Sequence, residues 1–436
     1  MSAMTDRPRA FILTGAFWVI CRNPRYLSEL VERGLRVLII TPEKFRAQAD
    51  AFRAKGEGPA ALIDDIGYVN GSLDREASFM PDVMATVMRW RRQYHIEGIY
   101  AVGETLVEPS GVVADAFDAP FPGLRATRVC RSKYLQRLYL DEMSPESLVI
   151  PPEERDAIDP AQLTYPSVVK PATRHSSSGV VVATDPEVMK TELAGYPDHE
   201  TLLVEHCVSG PEYSVETLTQ HGRPVFSSVT TKATTDTHSR TFVELSHTVG
   251  ATNEITRVLR DADADVLRRL RFEDGITHSE WRVDDSRRPW LMEIAARTPG
   301  DGLLVLYELA TGQPLEPQIV RVALGEPASY PQPHRVARQV YVEHPLGVLE
   351  DVQLDWSGVE PDWLGEGGLW PYLPPGNPED PPALRAVFVQ KEKGTRLEPL
   401  RSSDDRAVTF FIDAPTVEQL DTLHAEVLSA LDIVVS

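Results

Sequence analysis

The chain has 436 residues, 42% of them hydrophobic, and a formal net charge of -21. That length supports two or three lobes with buried cores, and the acidic balance excludes a basic nucleic-acid-binding stripe or docking on an anionic membrane. Any phosphate ligand must therefore be met by a few local cations.

The opening "RPRAFILTGAFWVICRNPR" sets basic residues before an apolar run, but it has no small-residue cleavage pattern and leads into further regular elements. It is read as structure rather than as a signal peptide. No stretch is long enough to span a bilayer. Cys21, Cys130 and Cys207 lie far apart without metal spacing, so structural thiols in a reducing, cytoplasmic setting are expected. Ala10 to Ile20, a periodic segment around Tyr26 to Arg33, and Leu35 to Ile40 read as strand, helix and strand, the start of a parallel α/β layer. A helix around Pro81 to Tyr94, a strand from Gly98 to Val102 and a helix near Val107 to Phe117 extend it. Neither a Gly-x-Gly-x-x-Gly turn nor a Walker-type loop is present, so two familiar phosphate cradles are excluded.

The character changes after a proline-rich, acidic connector from Pro151 to Pro160. Strand-like runs follow at Ser167 to Lys170, Gly179 to Ala183, Thr201 to Glu205, Tyr213 to Leu218 and Val225 to Thr231, an α+β lobe with a flexible cover. Beyond about Ser329 the chain is again strand-rich. It carries a proline- and glycine-crowded loop from Glu360 to Pro382, then a strand from Ala407 to Ile412 and an amphipathic helix from Thr416 to Leu431.

Three segments carry chemistry. "YPSVVKPATRHSSSGVVVATD" places Lys170 at the end of a strand and small hydroxyls in the following loop. Such a hairpin can offer backbone N–H groups and serine hydroxyls to phosphate oxygens, though an ordinary polar hairpin tip has the same composition. In "TLLVEHCVSGPEYSVETL", an extended linker from Glu205 to Pro211 without internal pairing would leave backbone groups free to read a flat heterocycle. Glu212 could then accept from ribose hydroxyls; a plain crossover with solvated glutamates is the alternative. In "HSEWRVDDSRRPWLMEIAAR", two alternating strands around a turn at Asp285 to Arg288 oppose Glu280 to Glu293. Trp281, Val283, Trp290, Met292 and Ile294 would share the buried face, with His278, Glu280, Arg282, Glu293 and Arg297 on the other. Opposed like charges are unfavourable in a sheet. Either Arg282 neutralises an exposed face, or the pair holds a cation, for which hard carboxylate oxygens beside nucleotide phosphates suit Mg2+.

Taken in order, "CRSKYLQRLYL", "VVKP", "SSSG", "VEHCVSGPEYSVE", "HSEW" and "LMEIAARTPGDG" resemble the ATP-grasp superfamily. The resemblance is greatest to the carboxylate-amine ligases that include L-amino-acid ligases making dipeptides, and it runs through about Leu324. It implies a mixed α/β and α+β fold. A parallel α/β domain over 1–130, a mobile lid subdomain over 131–206, a catalytic lobe over 207–330 and a strand-rich C-terminal subdomain over 331–436 would follow.

By the same resemblance, Lys133 and Lys170 touch the ATP phosphates beneath a lid formed by Ser176, Ser177, Ser178 and Gly179. Glu205, His206 and Val208 fall on the adenine hinge, and Glu212 at the ribose. Glu280 and Glu293 match the ligands of Mg2+, with Mn2+ as an alternate ion. Arg297 matches the arginine that neutralises the transferred phosphoryl group, and Glu244 and His247, in "VELSH", match a Glu-x-x-His element near the amino-acid pocket. Ala295 departs from the asparagine of many relatives, so the metal site is not extended beyond the two glutamates. The implied partners are a small carboxylic acid and an amine, with room for a homodimer and none for nucleic acid or membrane. A bicarbonate-activating carboxylase and a catalytically silent nucleotide-binding regulator are the rival readings.

Overall fold

The structure, a computed structural model, describes residues 7–174, 178–365 and 367–436. The expected lid residues Ser176 and Ser177 lie outside the described residues. Four parallel strands, β1 (Arg9–Thr14), β2 (Arg36–Pro42), β3 (Asp65–Val69) and β4 (His95–Ala101), form the first sheet in the order β3-β2-β1-β4. The unbroken apolar run of β1 follows from burial on both faces: Ala10, Phe11, Ile12 and Leu13 are all fully buried. The strand expected to reach Ile20 stops at Thr14, and Phe17–Arg22 forms a helix instead. Gly15 breaks the extended run at a positive φ of 144°, which periodicity does not register.

A second sheet of four strands contains β5 (Ser147–Ile150), β6 (Ser167–Pro171), β7 (Val181–Ala183) and β8 (Leu202–His206), in the order β5-β8-β6-β7. Because β5 precedes the proline-rich connector, this sheet starts earlier in the chain than the composition shift indicates. It packs on the helix Pro186–Gly195, and the helix Lys133–Tyr139 reaches it through the ion pair of Arg137 with Glu205.

The remaining strands follow in chain order: β9 (Glu212–Gln220), β10 (Arg223–Thr234), β11 (Glu244–Val249), β12 (Gly275–Val283), β13 (Pro289–Ala295), β14 (Val336–Val342), β15 (Gly347–Leu354), β16 (Pro361–Trp363), β17 (Ala383–Val389), β18 (Arg396–Leu397), β19 (Val408–Ala414) and β20 (Leu431–Val435). Nine of them form one sheet, β13-β12-β9-β10-β11-β14-β19-β17-β16, which runs without interruption past residue 330. A small sheet, β18-β15-β20, shares a buried core with it, and β20 is an unforeseen strand directly after the helix Val417–Ala430. The apolar helix Leu303–Thr311 packs between the parallel layer and the nine-stranded sheet. Its Leu304 and Leu306 join Phe11, Leu13, Phe388 and Phe411 in one buried cluster. This shared core fixes the floor of the cleft between the lobes.

Candidate active site

Antiparallel register assembles the site. Arg282 on β12 opposes Glu212 on β9, Glu212 opposes Lys232 on β10, and Lys232 opposes His247 on β11. Directly opposed residues share a face, so an arginine, a glutamate, a lysine and a histidine stand in one row. Two residues along β12, Glu280 shares that face and opposes Glu293 on β13, as the sequence predicts.

The buried face of this hairpin differs from the alternation pattern. The register slips between Glu280 and Trp281, so Trp281 opposes Leu291 and Met292 is the extra, bulged residue. Leu291 and Ile294 are therefore fully buried, while Trp290 and Met292 are only half-buried and Met292 lines the cleft. The bulge also turns the Met292 carbonyl to accept from Arg137 Nη2 at 2.6 Å and Lys170 Nζ at 3.4 Å.

The cations demanded by the opposed glutamates are lysines. Lys232 Nζ lies 2.5 Å from Glu280 Oε1, 3.4 Å from Glu212 Oε1 and 3.8 Å from Glu244 Oε1, with its side chain 1% exposed. Lys133 Nζ donates to Glu293 Oε1 at 3.1 Å and to the Arg174 carbonyl at 2.7 Å. Burial would raise the Glu280 pKa, but Lys232 and then His278 outweigh it and hold the carboxyl well below its ordinary range. His278 sets Nδ1 2.6 Å from Glu216 and Nε2 3.3 Å from Glu280. Burial works against its protonation, yet the two carboxylates carry its pKa up to about 8. Burial also raises the Glu212 carboxyl, opposed by Lys232. Arg282 spans Glu212 and Asp236 at 2.9 and 2.7 Å rather than neutralising an exposed face.

Below this row, Lys170 Nζ sits 2.7 Å from Glu205 Oε2, and burial brings its pKa down to about 8 against the pull of Glu205. Glu205 is 3% exposed and also accepts from Arg137 Nε at 2.6 Å; these two cations overcome its burial and hold it at about 2. The expectation of an unpaired linker from Glu205 is thus corrected. Glu205 and His206 belong to β8, and the N–H groups of His206 and Cys207 donate to the carbonyls of Glu146 and Pro166. This strand extends because β5 and β6 flank it on both sides. Only from Val208 on does the chain leave the sheet; Val208 and Ser209 make no backbone hydrogen bond among the described residues. Gly210 ends this stretch at a φ of 113°, where a Cβ would lie 2.1 Å from the Val283 carbonyl oxygen, so no other residue fits.

Arg297 Nε donates to Glu104 Oε2 at 2.6 Å, and Glu104 also pairs with Arg131 at 2.9 Å. Glu104 holds the Arg297 pKa above its ordinary value against burial. His247 Nε2 lies 2.8 Å from Asp301, which also accepts from Arg406 Nη2 at 2.6 Å, and His247 Nδ1 is buried without a partner. Glu244 accepts from Ser403 Oγ at 3.0 Å.

A cavity of about 840 Å³ brings these groups together. Its wall includes Lys133, Lys170, Ser178, Glu205, His206, Val208, Glu212, Glu244, His247, Glu280, Glu293 and Arg297. Gly179 stands back from the wall, where its carbonyl accepts from the Tyr196 hydroxyl at 2.6 Å. Sequence reasoning missed Lys232, His278 as a charged group, Glu104, Asp301 and Arg406. The signal for Lys232 was present, since alternation along β10 sets it on one face with Thr230 and Thr234.

The donor set fits a hard divalent cation only in part. Two carboxylates face each other across one register pair and open on the cavity, each about one-quarter exposed. No group of three or more metal-binding side chains exists among the described residues. Such a pair suits Mg2+ that takes its remaining oxygens from phosphates and water. No helix among the described residues is long and apolar enough to cross a membrane.

Residues 163–304 match the family of ATP-grasp domains. Comparison with curated proteins gives no match. Among solved structures, an L-amino acid ligase from Bacillus licheniformis is 18% identical with a TM-score of 0.72, over 99% of this chain and 100% of that one. A phosphoribosylglycinamide synthetase from Anaerococcus prevotii is 14% identical with a TM-score of 0.65, over 99% and 100%. The biotin carboxylase domain of the Hydrogenobacter thermophilus 2-oxoglutarate carboxylase, solved with MgADP and bicarbonate, is 13% identical with a TM-score of 0.60, over 97% and 90%. At these identities the likeness is one of fold.

Proposed function

From the premise that the chain has the ATP-grasp fold and carries an ATP-grasp domain, we propose that it is an ATP-dependent carboxylate-amine ligase, forming an amide between an acid, an amino acid in the first instance, and an amine. The observation that carries this reading is the Glu280–Glu293 pair, opened on one cavity with Lys133, Lys170 and Arg297. In a chain of net charge -21, a polyanionic nucleotide needs such a local cationic set. Lys133 and Lys170 would hold the phosphates, and Val208, whose backbone makes no backbone hydrogen bond among the described residues, would read the base edge with Glu205 and His206 fixing the hinge. Glu212 would meet the ribose. Ser176, Ser177, Ser178 and Gly179 would cover the phosphates.

Glu280 and Glu293 would hold Mg2+, which when bound would neutralise phosphate charge. A substrate carboxylate oxygen forms a bond to the γ-phosphorus as the bond to ADP breaks, giving an acyl phosphate. The amine nitrogen then attacks the acyl carbon, phosphate leaves, and the amine's proton passes to a base. Glu244 or His247 would be that base, a reading supported by the cavity wall they share. Arg297 would stabilise negative charge on the transferred group. Removing one such stabiliser costs about 10²- to 10³-fold in rate. Excluding water protects the acyl phosphate from hydrolysis.

The test is ADP release and hydroxamate formation with Mg-ATP, a panel of carboxylic acids, and hydroxylamine in place of the amine. At least one acid should yield both products. Activity with bicarbonate alone would favour a carboxylase, as in the MgADP- and bicarbonate-bound structural neighbour. Nucleotide binding without turnover across the panel would favour a regulator.

A further inference from the structure

Five arginines line the cavity. Arg174 pairs with Glu200, Arg282 with Glu212, Arg297 with Glu104 and Arg406 with Asp301. Arg22 forms no ion pair among the described residues. It ends the helix Phe17–Arg22, which follows β1 at the carboxyl edge of the parallel sheet. There β2 and β4 lie on opposite sides of β1, and crevices at such switch points are where ligands of open α/β sheets bind.

The guanidinium of Arg22 is clamped between two indoles, 4.5 Å from the ring centroid of Trp18 and 4.7 Å from that of Trp370. Nη2 donates to the Gly368 carbonyl at 3.2 Å, and Nε is sealed from solvent with no acceptor among the described residues. Burial pulls its pKa down to about 10, offset in part by Tyr341 and Asp301, so it is still charged at neutral pH. A partly buried cation with one carbonyl partner is costly unless an anion completes it. Nearby, the lack of a side chain at Gly367 leaves room beside the donor Gln48 Nε2, which a Cβ there would approach to 3.3 Å.

The shape of the clamp selects the anion. Indoles cover the guanidinium, so a partner must approach along its edge, where a planar carboxylate makes paired, charge-assisted hydrogen bonds. We propose that Arg22 binds a carboxylate of the substrate that takes no part in the reaction, so that the cavity selects amino acids or dicarboxylic acids over compounds lacking a spare carboxylate. This rests on the ligase reading for the word substrate, but the binding itself does not require turnover.

The test therefore uses the full chain without ATP. Melting temperature is measured with millimolar L-amino acids and dicarboxylic acids, each beside the amide in which the spare carboxylate is blocked, and with MgADP as a separate arm. At least one carboxylate should stabilise the protein while its amide does not, and Arg22→Gln should weaken that binding about 10- to 100-fold. The MgADP response should survive in Arg22→Gln, and its ligand-free melting temperature should equal or exceed that of the natural protein, because a partly buried charge with no ion pair among the described residues has been removed. Equal stabilisation by acid and amide, no stabilisation by any carboxylate, or stronger stabilisation by inorganic phosphate would overturn the proposal. A lower ligand-free melting temperature in Arg22→Gln with unchanged carboxylate binding would assign the clamp to structure alone. The acid-against-amide comparison needs no variant, so equal stabilisation there overturns the proposal even if Arg22→Gln fails to fold. Loss of the MgADP response in the natural protein would count against the ligase reading, not against the subsite.

Discussion

Replacing Lys232 by Met should destabilise the protein in a manner that depends on both pH and Mg2+. Lys232 Nζ stands 2.5, 3.4 and 3.8 Å from carboxylate oxygens of Glu280, Glu212 and Glu244. At an effective dielectric near 20, unit charges at these separations attract by about 4–7 kcal/mol per pair. Desolvation offsets most of that, and removing one partner of a buried pair typically costs about 3–5 kcal/mol because the other charge is left uncompensated. Here three carboxylates lose their shared cation at once, so the upper end of that range is expected at pH 7. The folded pKa values of Glu280 and Glu212 would then rise above the unfolded ones. Such groups destabilise at neutral pH, and the penalty fades as pH falls towards about 4. The assay is urea denaturation of Lys232→Met and the natural protein across that pH range, with and without Mg2+ and ADP. The deficit should shrink on acidification and on adding Mg2+ with ADP. A deficit that is absent, or that ignores both pH and metal, would refute the reasoning.

Lys170, with a pKa brought down to about 8, should give kcat/KM for ATP an alkaline limb near that pH, as the charge facing the phosphates is lost; Lys170→Arg should move the limb upward in a pH–rate profile. His278 has its folded pKa raised to about 8 from 6.5. Its contribution, about 2 kcal/mol at most, is fully present below the unfolded value and is lost as pH rises through 8. His278→Asn should erase that slope in denaturation curves. Gly210→Ala must move a Cβ away from the Val283 carbonyl, 2.1 Å distant, at a φ of 113°. It should cost about 1–3 kcal/mol and weaken nucleotide binding, read by calorimetry, because the stretch after β8 shifts.

The opposed glutamates were legible because alternation and a polar turn fix the register of a short hairpin. What alternation cannot reveal is a bulge. Met292 breaks the parity of β13, burying Leu291 in place of Trp290 and freeing a carbonyl for Arg137 and Lys170. Lys232 escaped for a related reason. Its strand was visible, but its contact with Glu280 depends on β9 lying between β10 and β12, a sheet order that no local pattern specifies. Asp301 and Arg406, more than a hundred residues apart, meet through the same long-range topology. Glu205 looked like a hinge residue with free backbone because its flanking strands, β5 and β6, lie elsewhere in the sequence. The carboxylate row itself was readable; the cations that balance it were supplied by the fold.

The central claim, that a carboxylate attacks the γ-phosphorus between Glu280, Glu293 and Arg297, is tested most directly by isotope transfer. An acid that proves active in the hydroxamate screen is labelled with oxygen-18 in its carboxylate and turned over with Mg-ATP and amine. One labelled oxygen should appear in the released phosphate, with ADP as the other nucleotide product. Label found in AMP, or phosphate released without label while amide forms, would contradict the account.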